Sequence, residues 1–267
     1  MATVRIGSMI RDWRLRRRRS QLDLSIDVGV STRHLSFVET GRSRPSPELV
    51  LAIAHHLDVP LRDRNSMLLA AGYAPRFDAT PLDAPAMARV YASLQRMLSA
   101  HDPYPGVVID SRWDVVHANR AATAIMALVD PAALLPTPNV FRLCLHPQGL
   151  ATHTVNLNEW ATYLLGQLNR LRSLRHDPLL AALADEIAAY PNMPSLTGMR
   201  CARAEEPMLL VSLRLRTPDG ELSMFTTLTT FGTPLDITLD ELAVELFYPA
   251  DDETDRALQA AQLVVQG

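Results

Sequence analysis

A run of hydrogen-bonding and aromatic side chains lies between residues 31 and 44 of the sequence. The guanidinium of Arg33 can donate two hydrogen bonds to guanine O6 and N7, and the ring of Phe37 can rest against a thymine methyl group. Arg42 and Arg44 follow closely, and arginines in such a position are natural ligands for phosphate oxygens. These residue types favour recognition of a nucleic acid over catalysis.

Short helices joined by turns surround this run. Ser20 and Ser31 are each placed to cap the start of a helix with a side-chain oxygen. Gly29 between these helices and Gly41 after the second are expected where the chain turns sharply or a helix ends. Five such helices fill residues 6–71, which predicts an all-α domain at this end of the chain.

The charged residues are distributed unevenly along the chain. Residues 1–76 hold 13 Arg and 7 Asp or Glu, whereas residues 77–267 hold 13 Arg and 22 Asp or Glu. The two parts therefore carry +6 and −9, which add up to the −3 of the whole chain. A basic head joined to an acidic body is typical of a nucleic-acid-binding domain followed by a separate body.

The segment SQLDLSIDVGVSTRHLSFVETGRSRPS, residues 20–46, resembles the helix-turn-helix of Cro and phage repressors, the Xre family. The resemblance implies double-stranded DNA as the partner, with the third helix in the major groove and its N-terminal part against base edges. It also implies that Gln21 lies at a phosphate, where a helix start favours an anion. The residues that it assigns to DNA are Gln21, Thr32, Arg33, His34, Ser36, Phe37, Arg42 and Arg44.

The remainder of the chain mixes strand and helix patterns. Strands are predicted over 106–110 and 113–118, and over 208–216 and 221–231 on either side of a hairpin turn. Thr238 and Glu241 form a potential capping box for a short helix. The nearby carboxylates of Asp240, Glu241 and Glu245 are interpreted as the acidic first turn of that helix.

Several segments of this second part, at 61–75, 103–122, 143–150, 156–160 and 231–251, resemble the MmyB-like subgroup of Xre regulators. The resemblance implies a PAS-like domain, in which an antiparallel sheet with helices over one face encloses a pocket for a small apolar or fatty-acyl effector. The predicted fold is therefore an all-α N-terminal helix-turn-helix domain of five helices followed by an α+β PAS-like domain. The predicted boundaries are 1–75 for the DNA-binding domain, 76–102 for the linker and connecting helix, and 103–267 for the ligand-binding domain.

Candidate pocket residues are polar or aromatic side chains placed among apolar ones. If the effector is an acid, Arg142 or His146 could pair with its carboxylate. A Trp and Leu stripe at helical spacing is equally the pattern of ordinary core packing. The candidates are Trp113, His117, Arg142, His146, Trp160, Tyr163 and Leu164.

Other classes of function find less support in the residues. The sequence holds no GxSxG, P-loop or GxGxxG motif, so no catalytic residue and no cofactor are assigned. His101, His117, His146 and His153 match no standard zinc spacing, so no metal site is assigned either. A haem-binding sensor stays an alternative, and so does a C-terminal domain that serves only for dimerisation or protein interaction.

Location and assembly follow from similar reasoning. No apolar run is long enough to cross a bilayer and the first residues do not fit a signal peptide, which predicts a cytoplasmic protein without a membrane partner. One recognition helix reads only a few base pairs, so the sequence predicts a homodimer on an inverted-repeat operator. The apolar stripe over 87–98 is a candidate interface or packs on its own domain.

Overall fold

The computed structural model describes residues 6–131, 136–174, 177–193 and 210–266. It separates into two packed units. One comprises Met1–Ala86 with Phe231–Asp240, and the other comprises Met87–Thr230 with Glu241–Gly267. The sequence-based boundaries at residues 75 and 102 stay a prediction.

Five helices between residues 6 and 70 build the first unit, as the sequence predicts. They are α1 (Ile6–Arg16), α2 (Gln21–Asp27), α3 (Thr32–Glu39), α4 (Pro47–His56) and α5 (Leu61–Ala70). Ser20, Ser31 and Ser46 each accept a backbone N–H of the helix that they precede, which satisfies donors that a helix start leaves free. Gly29 has a φ of +70°, which L-amino acids with a side chain rarely adopt.

Helix α1 approaches α3 closely at Gly7. A Cβ atom at this position would lie 2.4 Å from the carbonyl oxygen of Glu39 and 2.5 Å from that of Val38. No side chain fits into such a gap, so the glycine sets how near the two helices come. Ile10 of α1 and Leu35 of α3 are fully buried in the shared core of this unit.

A buried ion pair joins the same helices. Arg14 donates from Nε and Nη2 to the two carboxylate oxygens of Glu39, at 2.7 and 2.9 Å. Gln21, the first residue of α2, donates from Nε2 to Oε2 of Glu39 at 2.7 Å. Arg14 and Glu39 are 7% and 9% exposed. The Glu39 carboxylate therefore connects α1, α2 and the end of α3.

Residues 231–240 also pack in the first unit, although they come much later in the chain. The carboxylate of Asp236 accepts hydrogen bonds from the backbone N–H and the hydroxyl of Thr80, at 3.1 and 2.7 Å. Asp240 accepts the backbone N–H of Leu61 at 2.9 Å, at the start of α5. The short helix α11 (Ile237–Glu241) has Asp236 rather than Thr238 as its capping acceptor, because Asp236 accepts the N–H of Thr238.

The second unit is α+β, as predicted. Its helices are α6 (Ala88–His101), α7 (Arg120–Met126), α8 (Val140–Leu145), α9 (Leu157–Leu174), α10 (Pro178–Ala188) and α12 (Asp252–Gln266). Its strands are β1 (Gly106–Ile109), β2 (Val115–Ala118), β3 (Leu213–Thr217), β4 (Gly220–Thr230) and β5 (Ala243–Pro249). They form one antiparallel sheet in the order β2-β1-β5-β4-β3.

Strand β5 occupies the centre of this sheet. Val244 lies opposite Val108 of β1, and Glu245 lies opposite Leu228 of β4. The sequence analysis predicts no strand here and places Glu245 in the acidic turn of a helix, which is wrong. A short apolar run after a helix signal does not show by its periodicity whether it is helical or extended. Pairing on both sides makes it a strand.

We expect Arg14→Met to lower the free energy of unfolding by about 3–5 kcal/mol, because it leaves the buried Glu39 carboxylate without its cation. Urea unfolding of the full chain, followed by circular dichroism, measures this change.

The matched control is Arg214→Met. Arg214 pairs with Glu221 at 2.6 Å on the surface, where a pair typically contributes less than about 1 kcal/mol. Equal losses of stability for the two variants would contradict a special role of the buried pair.

Candidate DNA interface and the interior of the sheet domain

The outer face of α3 carries a cationic and aromatic cluster. The Arg33 guanidinium is exposed and lies 5.3 Å from the centre of the Phe37 ring, and that of Arg42 lies 5.9 Å from the same ring. Such cation–π contacts orient the arginines while leaving their N–H groups free to donate. This surface, named here the Arg33–Phe37–Arg42 cluster, can meet both base edges and phosphates.

The other predicted residues of α3 are less exposed. The hydroxyl of Thr32 lies 3.0 Å from that of Ser25 in α2, so it forms a hydrogen bond inside the unit. His34 and Ser36 are half-buried. Their contacts with DNA stay a prediction, and Arg33 is the exposed donor of this helix.

Gln21 and Arg44 have structural partners of their own. Gln21 binds Glu39, as described above. Arg44 donates to the carbonyl oxygens of Ala71 and Gly72 at 2.9 and 3.0 Å, and its guanidinium lies 4.5 Å from the centre of the Tyr73 ring. Arg44 therefore satisfies carbonyls at the end of α5, and a phosphate role for either residue stays a prediction.

In the sheet domain, Trp113 lies outside the strand that contains His117, whereas the sequence analysis predicts one strand over 113–118. Strand β2 begins at Val115, and Trp113 precedes it in a turn with a φ of +65°. The Trp113 ring is buried and stacks on Phe141, with ring centres 4.8 Å apart. His117 lies in β2, with its ring 5.6 Å from that of Tyr91.

Arg142 and His146 belong to one polar cluster around Glu186. Arg142 donates two hydrogen bonds of 2.8 Å to the Glu186 carboxylate, which also accepts from the Tyr190 hydroxyl at 2.7 Å. The Arg142 guanidinium lowers the pKa of Glu186. The His146 ring packs edge-on against Tyr190 at 4.8 Å. An acidic effector would have to compete with Glu186 for Arg142.

Trp160, Tyr163 and Leu164 share one stretch of α9, and Tyr163 lies near the buried carboxyl group of Glu245. Glu245 of β5 is 2% exposed, and its Oε2 has no hydrogen-bond partner among the described residues. Loss of hydration raises the pKa of Glu245 from 4.5 to about 7, and burial raises the pKa of the Cys144 thiol to about 12. A hydrogen bond from the Trp160 side chain to the sulfur of Cys144 partly offsets this rise in the pKa of the thiol. The interior of the sheet domain thus holds a carboxyl group of which one oxygen is unsatisfied among the described residues.

A cavity of about 340 Å³ opens elsewhere in this domain. It lies between α7, the hairpin of β3 and β4, and α12, and none of the seven predicted pocket residues lines it. Its sequence signal is alanine at helical spacing, which occurs at Ala121 and Ala124 in α7 and at Ala257 and Ala261 in α12. Such a pattern is too common to indicate a cavity until the two helices are known to face one another.

Two kinds of feature are absent from the described residues. They contain no group of three or more His, Cys, Asp or Glu side chains arranged to hold a metal ion. Within the same residues, every helix is too short or too polar to span a bilayer.

Comparison with known proteins identifies both halves of the chain. A helix-turn-helix family model matches residues 10–63, and the model of the MmyB-like transcription regulator ligand binding domain matches residues 90–261, more than half of the chain. The chain belongs to the MmyB-like transcription regulators. The two matched models describe a helix-turn-helix and the ligand-binding domain of a transcription regulator, which is the architecture of a ligand-responsive transcription regulator.

Other comparisons add little about this MmyB-like regulator. No curated protein matches it. One solved structure, described as an RNA-binding light-oxygen-voltage receptor, is 12% identical over 92% of this chain, with a TM-score of 0.27. The regulator spans 57% of that receptor chain, and a TM-score this low does not indicate a shared fold.

We expect Arg33→Ala to weaken binding to the specific operator by about 1–3 kcal/mol and to relax selectivity at one base position. Arg33 is the exposed donor on α3, and the substitution removes the N–H groups that would form a bidentate contact with guanine. Titrations of specific and random duplexes measure the difference.

Arg42→Ala is the matched comparison. If Arg42 binds a phosphate, its removal should weaken binding to both duplexes alike and reduce the salt dependence by about one counterion. Equal effects of Arg33→Ala on the two duplexes would assign Arg33 to the phosphates instead.

We expect the free energy of unfolding to fall between pH 4.5 and about 7 because of Glu245. Its pKa is raised from 4.5 to about 7 in the folded state, so the folded protein holds a proton that the unfolded chain has already released. The penalty at pH 8 is on the order of 3 kcal/mol. Glu245→Gln should remove it, which thermal or urea unfolding across this pH range measures.

Leu228→Ala, a change at an exposed and uncharged position opposite Glu245, is the control and should leave the dependence of stability on pH as it is. The neighbouring Cys144 and Tyr163 have pKa values raised above 9.0 and 10.0, so they remain neutral in this range. An unchanged profile in Glu245→Gln would contradict the assignment.

Proposed function

We propose that this regulator binds an inverted-repeat operator as a homodimer, and that a small apolar or fatty-acyl molecule bound in its C-terminal domain changes its operator affinity. The observation that carries the proposal is the combination in one chain of an exposed arginine on α3 with an MmyB-like ligand-binding domain. Its place of action would be the cytoplasm, where the DNA is.

The geometry of α3 supports sequence-specific DNA binding. The Glu39 carboxylate and Gly7 hold this helix against α1, so the Arg33–Phe37–Arg42 cluster is presented from a fixed backbone. Preorganised donors of this kind lose little conformational freedom on binding. The cluster combines one residue for base edges with another for phosphates, and both kinds of contact are needed to select a site.

The proposal of a homodimer is supported by the small number of bases that one recognition helix reaches. Two copies related by a two-fold axis would double the site, with half-sites about one helical turn apart. The stripe over 87–98 is a weaker candidate interface than its sequence indicates, since Leu94 and Leu98 are 4% and 1% exposed within their own unit. Met97, which is 45% exposed, is the member of that stripe still accessible.

The proposal of an apolar effector is supported by the interior of the sheet domain. Trp113, Trp160 and Leu164 are buried in an apolar core, so an occupant of that core would be apolar. A ligand shifts DNA affinity only if it binds two conformations of the regulator differently. Oε2 of Glu245, which has no partner among the described residues, is a polar atom whose surroundings such an occupant would alter.

We expect the effector to change operator affinity roughly five- to hundredfold, the range of typical coupling free energies. The experiment begins with native mass spectrometry of the purified full chain to find a co-purifying molecule. Operator titration then follows with and without that molecule, and sedimentation of the complex counts the chains bound per operator.

Three results would overturn parts of the proposal. A ligand that binds without altering operator affinity would contradict the regulatory claim and favour a domain used only for assembly. One chain per operator would contradict the homodimer. A coloured protein with a haem absorption band would favour the sensor alternative.

A further inference from the structure

Glu245 lies on the face of the central strand β5 that is turned toward the main core of the sheet domain. Side chains alternate along a strand, so Glu245 shares its face with Ala243 and Phe247, and both of these pack against that core. Residues directly opposite on neighbouring strands share a face as well, which adds Val107 of β1 and Leu228 of β4. The nearest neighbours of Glu245 along and across the sheet are therefore apolar.

The carboxyl group of Glu245 is buried without being fully paired. Its side chain is 2% exposed as part of the residue, and its Oε2 has no hydrogen-bond partner in the part of the chain that the structure describes. The side chain of Thr226 on β4 forms a hydrogen bond with the carboxyl group. A buried oxygen without a partner costs free energy, and a bound molecule that pairs with Oε2 would recover it.

No cation balances Glu245 among the described residues. Burial and the hydrogen bond of Thr226 are the influences on its pKa, and no arginine or histidine contributes. The titratable groups that interact with it are Cys144 of α8 and Tyr163 of α9, and burial raises the pKa of both, so they are neutral at neutral pH. An anion that enters this interior therefore meets no cation beside Glu245 and needs hydrogen-bond donors instead.

Glu245 can itself be such a donor. Loss of hydration raises its pKa to about 7, so a large fraction of the folded protein carries a proton on this group at neutral pH. A protonated carboxyl group has an O–H that donates, whereas an ionised one only accepts. An O–H that donates to a carboxylate forms a charge-assisted hydrogen bond, which is about twice as strong as one between neutral groups.

We propose that Glu245 determines the specificity of the effector site, by donating a hydrogen bond from Oε2 to the carboxylate of an effector with an apolar chain. The chain would lie among the apolar side chains of the core, and Thr226 would hold the other carboxyl oxygen of Glu245. The inference builds on the proposed function, since it assigns one residue of the C-terminal domain to the polar end of the effector. An ionised Glu245 repels the same carboxylate, so binding depends on pH.

The test compares decanoate with decanol on the full chain, two probes of equal chain length. Isothermal titration calorimetry between pH 6 and pH 9, below the concentrations of micelle formation, measures both affinities. Decanoate stays ionised, because an unperturbed carboxyl group titrates near about pH 4. Its affinity should fall about hundredfold over this range, as Glu245 loses its proton above about pH 7. Decanol can accept from the protonated group and donate to the ionised one, so its affinity should change less than about threefold.

Three outcomes of this titration would overturn the inference. They are a decanoate affinity that does not change with pH, equal losses for the two probes, and failure of both probes to bind at pH 6. Equal losses would mean that the whole interior changes with pH rather than the one hydrogen bond.

Glu245→Gln and Glu245→Leu separate pairing from packing. Glutamine keeps an N–H donor at any pH, so decanoate should bind within about threefold of the wild-type affinity at pH 6 and equally well at pH 9. Leucine removes the donor and should weaken binding at pH 6 about tenfold or more. Thermal unfolding checks that this variant is folded, which we expect because an apolar residue replaces a group that is not fully paired.

Glu159→Gln, at an exposed carboxylate of α9, is the matched control and should keep the pH dependence of the wild type. A pH dependence in Glu245→Gln equal to that of the wild type would assign the proton to the bound acid and overturn the inference. Wild-type affinity in Glu245→Leu would overturn it as well.

Operator titration with decanoate separates this inference from the proposed function. A response of operator affinity that is the same in wild type and Glu245→Leu would support the proposed function and contradict the role of Glu245. Decanoate that binds with the expected pH dependence yet leaves operator affinity unchanged would contradict the regulation, while the role of Glu245 in binding would stand.

Discussion

The carboxylate of Glu39 must be paired inside the helical unit, and this requirement fixes the surface that is proposed to bind DNA. An unpaired buried charge costs several kcal/mol, so Arg14 and Gln21 have to reach it from α1 and α2. Gly7 permits the close approach of backbones that brings these groups together. With one side of α3 held in this way, Arg33 remains on its outer side, where it can meet DNA.

In the sheet domain, by contrast, a buried carboxyl group is not fully paired. Its central strand carries Glu245, one of whose carboxylate oxygens is unsatisfied within the described residues, while alanines at Ala124 and Ala257 leave space between helices and hairpin. An unsatisfied buried oxygen reduces stability, and proteins retain such features where function needs them. The space between the helices and the hairpin is an open cleft, since Ala124 and Ala257 are exposed. The helical unit, which has to present one fixed surface, has the buried charge of Glu39 fully paired.

The chain passes between the helical unit and the sheet domain more than once. It leaves β4 at Thr230, contributes residues 231–240 to the helical unit and returns to form β5. Within that segment, Asp240 supplies the anion at the start of α5, a helix that begins after a proline and has no side-chain cap of its own. The central strand of the sheet is therefore covalently adjacent to residues on which the helical unit depends.

The sequence by itself determined the local features. The caps at Ser20 and Ser31 and the turn at Gly29 depend on neighbouring residues alone, and so does the segregation of charge. The position of β5 and the burial of Glu245, by contrast, were decided by pairing with strands distant in sequence. The cavity likewise exists only because α7 and α12 face each other across a hairpin. Short-range patterns record what a residue does to its neighbours, whereas long-range packing decides which apolar run becomes a central strand and which small residues leave a space.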